Sequence, residues 1–150
     1  MRPTLSGRAI LGGVRVTLML ADSAQEVGGK LYILGGGWSV TGPVVPPSAV
    51  VIKIDVPWDE ANRPHTWVLR LIDEDGVPAA VDGDGSELRV EGTFEVGRPA
   101  GIRPGTPIDV PLAVNFGPLP LRPGTRYVWE LSIDGRLDDD WNRQFLVREV

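Results

Sequence analysis

Carboxylate clusters, one histidine and a run of glycines are the parts of this sequence with chemistry to offer. Asp73-Glu74-Asp75-Gly76, Asp82-Gly83-Asp84-Gly85 and Asp138-Asp139-Asp140 gather acids between apolar runs. Calcium takes roughly six to eight oxygens, so loops converging at one end of a fold could supply them, with Asp73, Asp75, Asp82 and Asp84 as the candidate ligands. The EF-hand pattern is not met, because Asp82-Gly83-Asp84-Gly85-Ser86 runs short of it and no glutamate closes the loop. Asp and Gly are also what tight turns use, and on that reading the acids bind no metal.

His65 stands in NRPHTW, just ahead of a strand-like run. Paired with a serine it could activate a nucleophile, but none of Ser6, Ser23, Ser39, Ser48, Ser86 or Ser132 lies in a G-x-S-x-G elbow. A lone histidine where a strand begins reads as a solvated or capping residue. Carboxylate-pair hydrolysis could draw on Asp59 with Glu60, or Asp55 with Glu130, yet the spacing does not set their separation. The sequence therefore nominates no catalytic residue and no cofactor; a hydrolase with an unrecognised carboxylate site is the third-ranked function.

In LYILGGGWSVTGP, Gly35, Gly36 and Gly37 precede Trp38. A Walker loop would need a lysine after its last glycine, and a dinucleotide fingerprint would need spaced glycines opening a helix. Neither is present. Two readings remain. In one, the glycines swing the chain from one sheet to another. In the other, Gly35, Gly36, Gly37 and Trp38, with Trp58 beside Pro57, form a rim for a ligand or partner, since aromatic side chains on loops are common recognition devices.

The elements that must position these residues are strands. Leu88, Val90, Phe94 and Val96 alternate with Arg89, Glu91, Thr93 and Glu95; Ile108, Val110, Leu112, Val114 and Phe116 keep one phase; so do Tyr127, Trp129, Leu131 and Ile133. Period two of this kind marks half-buried antiparallel strands. AVVIKIDV, TWVLRLID and WNRQFLV add three more, KLYIL a short one, and Val14–Leu20 the first. Turn signals stand between them at Gly28-Gly29, Gly42-Pro43, Asp75-Gly76, Gly83-Asp84-Gly85, Pro104-Gly105, Pro123-Gly124 and Asp134-Gly135. With 19 glycines and 14 prolines, no window keeps a helical period beyond one turn near Pro57–Arg63. About eight or nine strands spaced in this way predict an all-β, antiparallel two-sheet β-sandwich.

Composition narrows the function classes. At 150 residues the chain is one domain, read as residues 13–150 after a loose tail over residues 1–12. A net charge of −5 and only two lysines, Lys30 and Lys53, argue against nucleic acid and against a membrane surface. The absence of cysteine removes disulfides, thiolate nucleophiles and thiolate metal sites, and leans towards the cytoplasm. Abundant Gly, Pro, Val, Arg and Asp suit a high-GC bacterial genome.

Two resemblances refine the fold. Leu121 to Tyr127, LRPGTRY, is similar to the L-x-P-G-T-x-Y pattern of fibronectin type III-like domains, which implies a tyrosine corner whose hydroxyl bonds upstream backbone. More broadly, LADSAQEVGGKLYILGGGWSVTGP, VPWDEANRPHTWVLRLIDEDG, VEGTFEVGRP and PGTRYVWELSIDG resemble a family of short bacterial single-domain proteins, a domain of unknown function. That resemblance spans about residues 14–148, implies a β protein and brings no catalytic residues. The expected molecule is an immunoglobulin-like or fibronectin III-like sandwich serving as a non-enzymatic binding or structural module, its partner another protein or a second copy. A calcium-dependent or carbohydrate-type ligand-binding sandwich is the alternative.

Overall fold

The computed structural model describes residues 13–81 and 85–150. The tail read over residues 1–12, and the candidate calcium ligands Asp82 and Asp84, lie outside the described residues. The chain runs through β1 (Arg15–Ala21), β2 (Ser23–Val27), β3 (Lys30–Leu34), β4 (Val40–Thr41), β5 (Ser48–Val56), β6 (His65–Asp73), β7 (Arg89–Phe94), β8 (Ile108–Phe116), β9 (Arg126–Ile133) and β10 (Asn142–Val147). A single 3-10 turn, Trp58–Glu60, stands where one helical turn is expected.

Strands β1-β5-β8 form one sheet, and β4-β10-β9-β6-β7 the other. Their inner faces meet in one core. Leu20, Ile52, Ile54 and Val56 of the first sheet pack against Leu69, Leu71, Trp129, Leu131 and Ile133 of the second. Phe116 stacks on Trp129 across the gap, with ring centres 4.8 Å apart. These are the residues whose alternation marks the strands, so burial follows the period-two pattern. Burying each large side chain contributes roughly 1.5–3 kcal/mol. Gly92 interrupts β7 for a steric reason: it pairs with Trp67, and a Cβ there would lie 2.9 Å from the indole.

Two features differ from the expectation. Ten strands are present among the described residues rather than eight or nine, the additions being β2 and the two-residue β4. One pairing is parallel, β4 with β10, in the register Val40 to Leu146 and Thr41 to Val147. The glycine run explains how β4 gets there. Gly37 N–H donates to the Leu20 carbonyl of β1 at 2.7 Å, and Leu146 N–H of β10 donates to the Ser39 carbonyl at 2.9 Å. Within two residues the chain passes from one sheet to the other.

Strands β2 and β3 form a hairpin that lies outside the sandwich as a third layer. Gly28 and Gly29, at φ of 60° and 82°, make its two-residue turn. Ala24 and Leu31 pack on Ala21, Ala49, Val51, Met19 and Ala113, which lie on the outer face of the three-stranded sheet. The small alanines allow close approach. The Asn115 amide then completes the contact, donating to the Ala24 carbonyl at 2.8 Å and accepting from the Ala24 N–H at 3.2 Å.

Tyr127 is buried at the start of β9, and its hydroxyl accepts the Arg122 N–H at 3.0 Å. Gly124 turns the chain at φ 80° and donates to the Val147 carbonyl. Leu121 is buried beneath this corner.

Candidate functional site

The turn after β9 and the start of β6 meet at one end of the sandwich, because Trp67 pairs with Ile133 in the register of the two strands. That register brings His65 to Asp134. His65 Nδ1 lies 2.7 Å from Asp134 Oδ2, and Nε2 lies 3.0 Å from the Glu60 carbonyl. The carboxylate is itself fixed: Asp134 Oδ1 accepts the Thr66 N–H at 2.9 Å, and Asp134 N–H donates to the Thr66 carbonyl at 2.7 Å. Asp134 takes φ of 53° to make both contacts, a conformation its short polar side chain tolerates. Phe94 stacks on the imidazole with ring centres 5.0 Å apart.

Of the two roles its place before a strand suggests, solvated or capping, His65 is not solvated: it is 2% exposed, with Nε2 set against the Glu60 backbone carbonyl. Both ring nitrogens face oxygen acceptors, so only the doubly protonated ring satisfies both. Burial is the largest single influence on its titration and pulls its pKa down. The hydrogen bonds to Asp134 and to the Glu60 carbonyl, with the negative charges of the Asp134 and Glu60 side chains, together outweigh it and hold His65 above its ordinary value. Burial likewise pushes Asp134 up, but the bonds from His65 and from the Thr66 N–H leave its carboxyl below the usual range. An open cleft of about 460 Å³ lies beside the pair, lined in part by Asp59, Glu60, Arg63 and Arg136. Arg63 is committed to Glu60 at 3.1 Å. With both nitrogens set against oxygens, the arrangement is a hydrogen-bonded ion pair in which the imidazole is buried and the Asp134 carboxylate is partly exposed.

The candidates read from the sequence are scattered rather than gathered. Gly35, Gly36 and Gly37 carry the crossing between sheets. Gly35 has φ of 61° and a Cβ there would run into the Asp22 carboxylate; one on Gly36 would meet Ile33 and Met19. Trp38 is half-buried against the core, edge-on to Phe145 at 5.9 Å, and its indole N–H is buried with no acceptor among the described residues. Trp58 lies elsewhere, in the 3-10 turn. Its ring is covered by the Arg98 guanidinium at 4.8 Å, and its carbonyl accepts from the same group at 2.7 and 3.1 Å.

Of the calcium candidates, Asp73 turns Oδ1 towards the Asp75 and Val77 N–H groups, at 2.9 and 3.0 Å, which is how an aspartate holds a tight turn. Asp75 belongs to the same turn. Among the described residues no cluster of three or more His, Asp or Glu side chains could hold a metal ion. Asp55 and Glu130 stand on the outer faces of different sheets, Asp55 beside Lys53 and Glu130 bonded to Arg70 at 3.0 Å, so they cannot act as a pair.

The sequence reading passed over the hairpin. On its solvent side Val27, Tyr32 and Leu34 are 54%, 56% and 71% exposed, and pairing of Gln25 with Tyr32 and Ser23 with Leu34 places them on one face. The available signal was KLYIL itself, apolar in both phases of the period, where an ordinary half-buried strand is apolar in one.

Among the described residues no helix is long and apolar enough to cross a membrane. Residues 16–144 match the model of a family of unknown function (DUF6941). No curated protein and no solved structure matches the chain.

Proposed function

The chain belongs to this family of unknown function, and we propose that it acts as a non-enzymatic interaction module on an immunoglobulin-like sandwich. The strand orders, with β4 running parallel to β10, support the immunoglobulin-like reading. The bond from Arg122 N–H to the Tyr127 hydroxyl supports a fibronectin III-like corner at Leu121–Tyr127. The observation that carries the functional reading is the hairpin: an apolar strip of Val27, Tyr32 and Leu34 held in water outside an already complete core. Exposed apolar residues scattered singly need no explanation, whereas a contiguous strip on a rigid support marks a contact surface. The acidic composition favours a protein over a nucleic acid as partner, and the absence of cysteine favours a cytoplasmic setting. The engagement of both His65 nitrogens favours binding over catalysis.

Comparative capture tests this reading. Wild type and a Val27→Ser/Leu34→Ser chain, matched for melting temperature, serve as baits in host extract, with self-association scored alongside. Specific partners held by the wild type and lost from the variant are expected. Equal recovery of the same partners by both baits would put docking elsewhere and sink the hairpin reading.

A further inference from the structure

We propose that His65 is a pH-controlled latch: its doubly protonated ring ties the Trp58–Glu60 turn to the turn after β9, and loss of one proton releases the first while keeping the second. The ring has a partner on each side, the Asp134 carboxylate 2.7 Å from Nδ1 and the Glu60 carbonyl 3.0 Å from Nε2. Among the described residues no backbone N–H donates to that carbonyl. The two partners cease to be equal once a proton leaves. A neutral imidazole carries one N–H and one lone pair. A lone pair on Nδ1 would oppose the full negative charge of the carboxylate at the shorter distance, so the N–H stays on Nδ1 and the lone pair falls to Nε2. Two lone pairs then face each other at the Glu60 carbonyl, and 3.0 Å leaves no room for a water between them.

Release is local, because the segment is pinned on either side of the contact. The Trp58 carbonyl accepts from the Arg98 guanidinium at 2.7 and 3.1 Å, and the Asn62 N–H donates to the Val96 carbonyl at 2.7 Å. Asp59, Glu60 and Ala61 lie between these pins and move, and Arg63 follows through its ion pair with Glu60. The ring itself stays where it is. Asp134 is fixed through both its carboxylate and its N–H to the backbone of Thr66, and Phe94 stacks on the imidazole.

The charged groups around the ring come from two elements. The turn after β9 brings Asp134 and Arg136, the segment around the 3-10 turn brings Asp59, Glu60 and Arg63, and β7 contributes the uncharged Phe94. Burial favours the neutral ring, but the bonds and charges of Asp134 and Glu60 outweigh it. His65 therefore keeps its second proton through pH 6.5 and loses it as pH rises through a higher value. The same residues line the cleft of about 460 Å³. Glu60 and Arg63 belong to the part that is released, Asp134 and Arg136 to the part that is retained. The latch thus makes the shape of this cleft a function of pH.

Nuclear magnetic resonance of the full chain between about pH 5 and about pH 9 tests the latch, and a single histidine makes the ring signals unambiguous. The ring nitrogens should report the doubly protonated form at the acid end and the Nδ1–H tautomer at the alkaline end. Over the same transition, exchange of the Glu60 and Ala61 amides with solvent, corrected for its intrinsic pH dependence, should quicken about tenfold. The Asp134 amide, bonded to the Thr66 carbonyl, should keep its protection and serves as the internal control. Asp134→Asn removes the charge and should move both midpoints down together by about one pH unit. A ring already neutral at pH 6 overturns the latch. So does a ring that titrates while the Glu60 and Ala61 amides exchange unchanged, and so do midpoints that separate in Asp134→Asn. The wild-type titration decides the question by itself if that variant does not fold.

Discussion

Asp134 Oδ2 lies 2.7 Å from His65 Nδ1 across 69 positions of sequence, and the contact joins the turn after β9 to the start of β6. Its energetics depend on pH in a definite sense. The folded state raises His65 above 6.5, so the stability this confers is fully present below pH 6.5 and is lost as pH rises through the raised value. The folded state lowers Asp134 below 3.8, so its contribution is present above pH 3.8 and lost as pH falls through the lowered value. The pair therefore stabilises most between these limits. Melts of wild type and His65→Gln should differ most near pH 5–6 and converge towards pH 9. A difference that stays constant over that span would show that the ring is not titrating against Asp134.

The Tyr127 corner gives a second test. The hydroxyl accepts from the Arg122 N–H, so Tyr127→Phe leaves a backbone donor unpaired, and Arg122 is exposed enough for water to reach it. The loss is set at about 1 kcal/mol, or about 2–4 °C of melting temperature at this size. Two-state calorimetry on the variant measures it. An unchanged melt would mean that the hydroxyl contributes nothing to the corner.

Gly92→Ala should be costlier than its single methyl group suggests. The added Cβ would meet the Trp67 indole at 2.9 Å, and that ring is held in the core between the sheets. Overpacking of this kind costs about 1–3 kcal/mol. Denaturant titration should show the loss, and Gly92→Ala/Trp67→Phe should recover part of it. Without that recovery, steric conflict with the ring is not the cause.

The two loop tryptophans should separate in stability. Trp38 packs on the core and on Phe145, so Trp38→Ala is expected to cost about 3 kcal/mol. Trp58 is held by one cation–π contact, so Trp58→Ala should cost about 1 kcal/mol and Arg98→Ala a similar amount. Thermal melts of the three variants suffice. Equal losses at Trp38 and Trp58 would contradict the difference in packing.

The sandwich is legible in the sequence because most of its strands keep their large apolar residues on one face. Leu88, Val90 and Phe94, or Tyr127, Trp129 and Leu131, announce both the strand and its inner side, and the structure turns both sets to the core, the first partly buried and the second fully. The third layer is hidden for the complementary reason. Ala21, Ala24, Ala49 and Val51 are small residues at positions that would otherwise face water, and nothing local distinguishes a covered alanine from an exposed one. The His65–Asp134 pair is hidden differently. Each residue has an ordinary local explanation, a strand start and an Asp-Gly turn, and only the register between β6 and β9 brings them together. Of the two readings of the glycine run, the crossing between sheets matches the backbone bonds of Gly37 and Ser39, but its destination, parallel to β10, depends on a strand more than a hundred residues away.

Gly37 N–H reaches the Leu20 carbonyl at 2.7 Å, so the excursion that carries the hairpin leaves β1 and returns to the same point. A detour with coincident ends transmits no tension to the scaffold it departs from, and lengthening such a loop costs only slowly growing closure entropy. The segment between Ala21 and Gly37 is therefore a cassette. Its contents can be replaced while every strand of the sandwich keeps its neighbour.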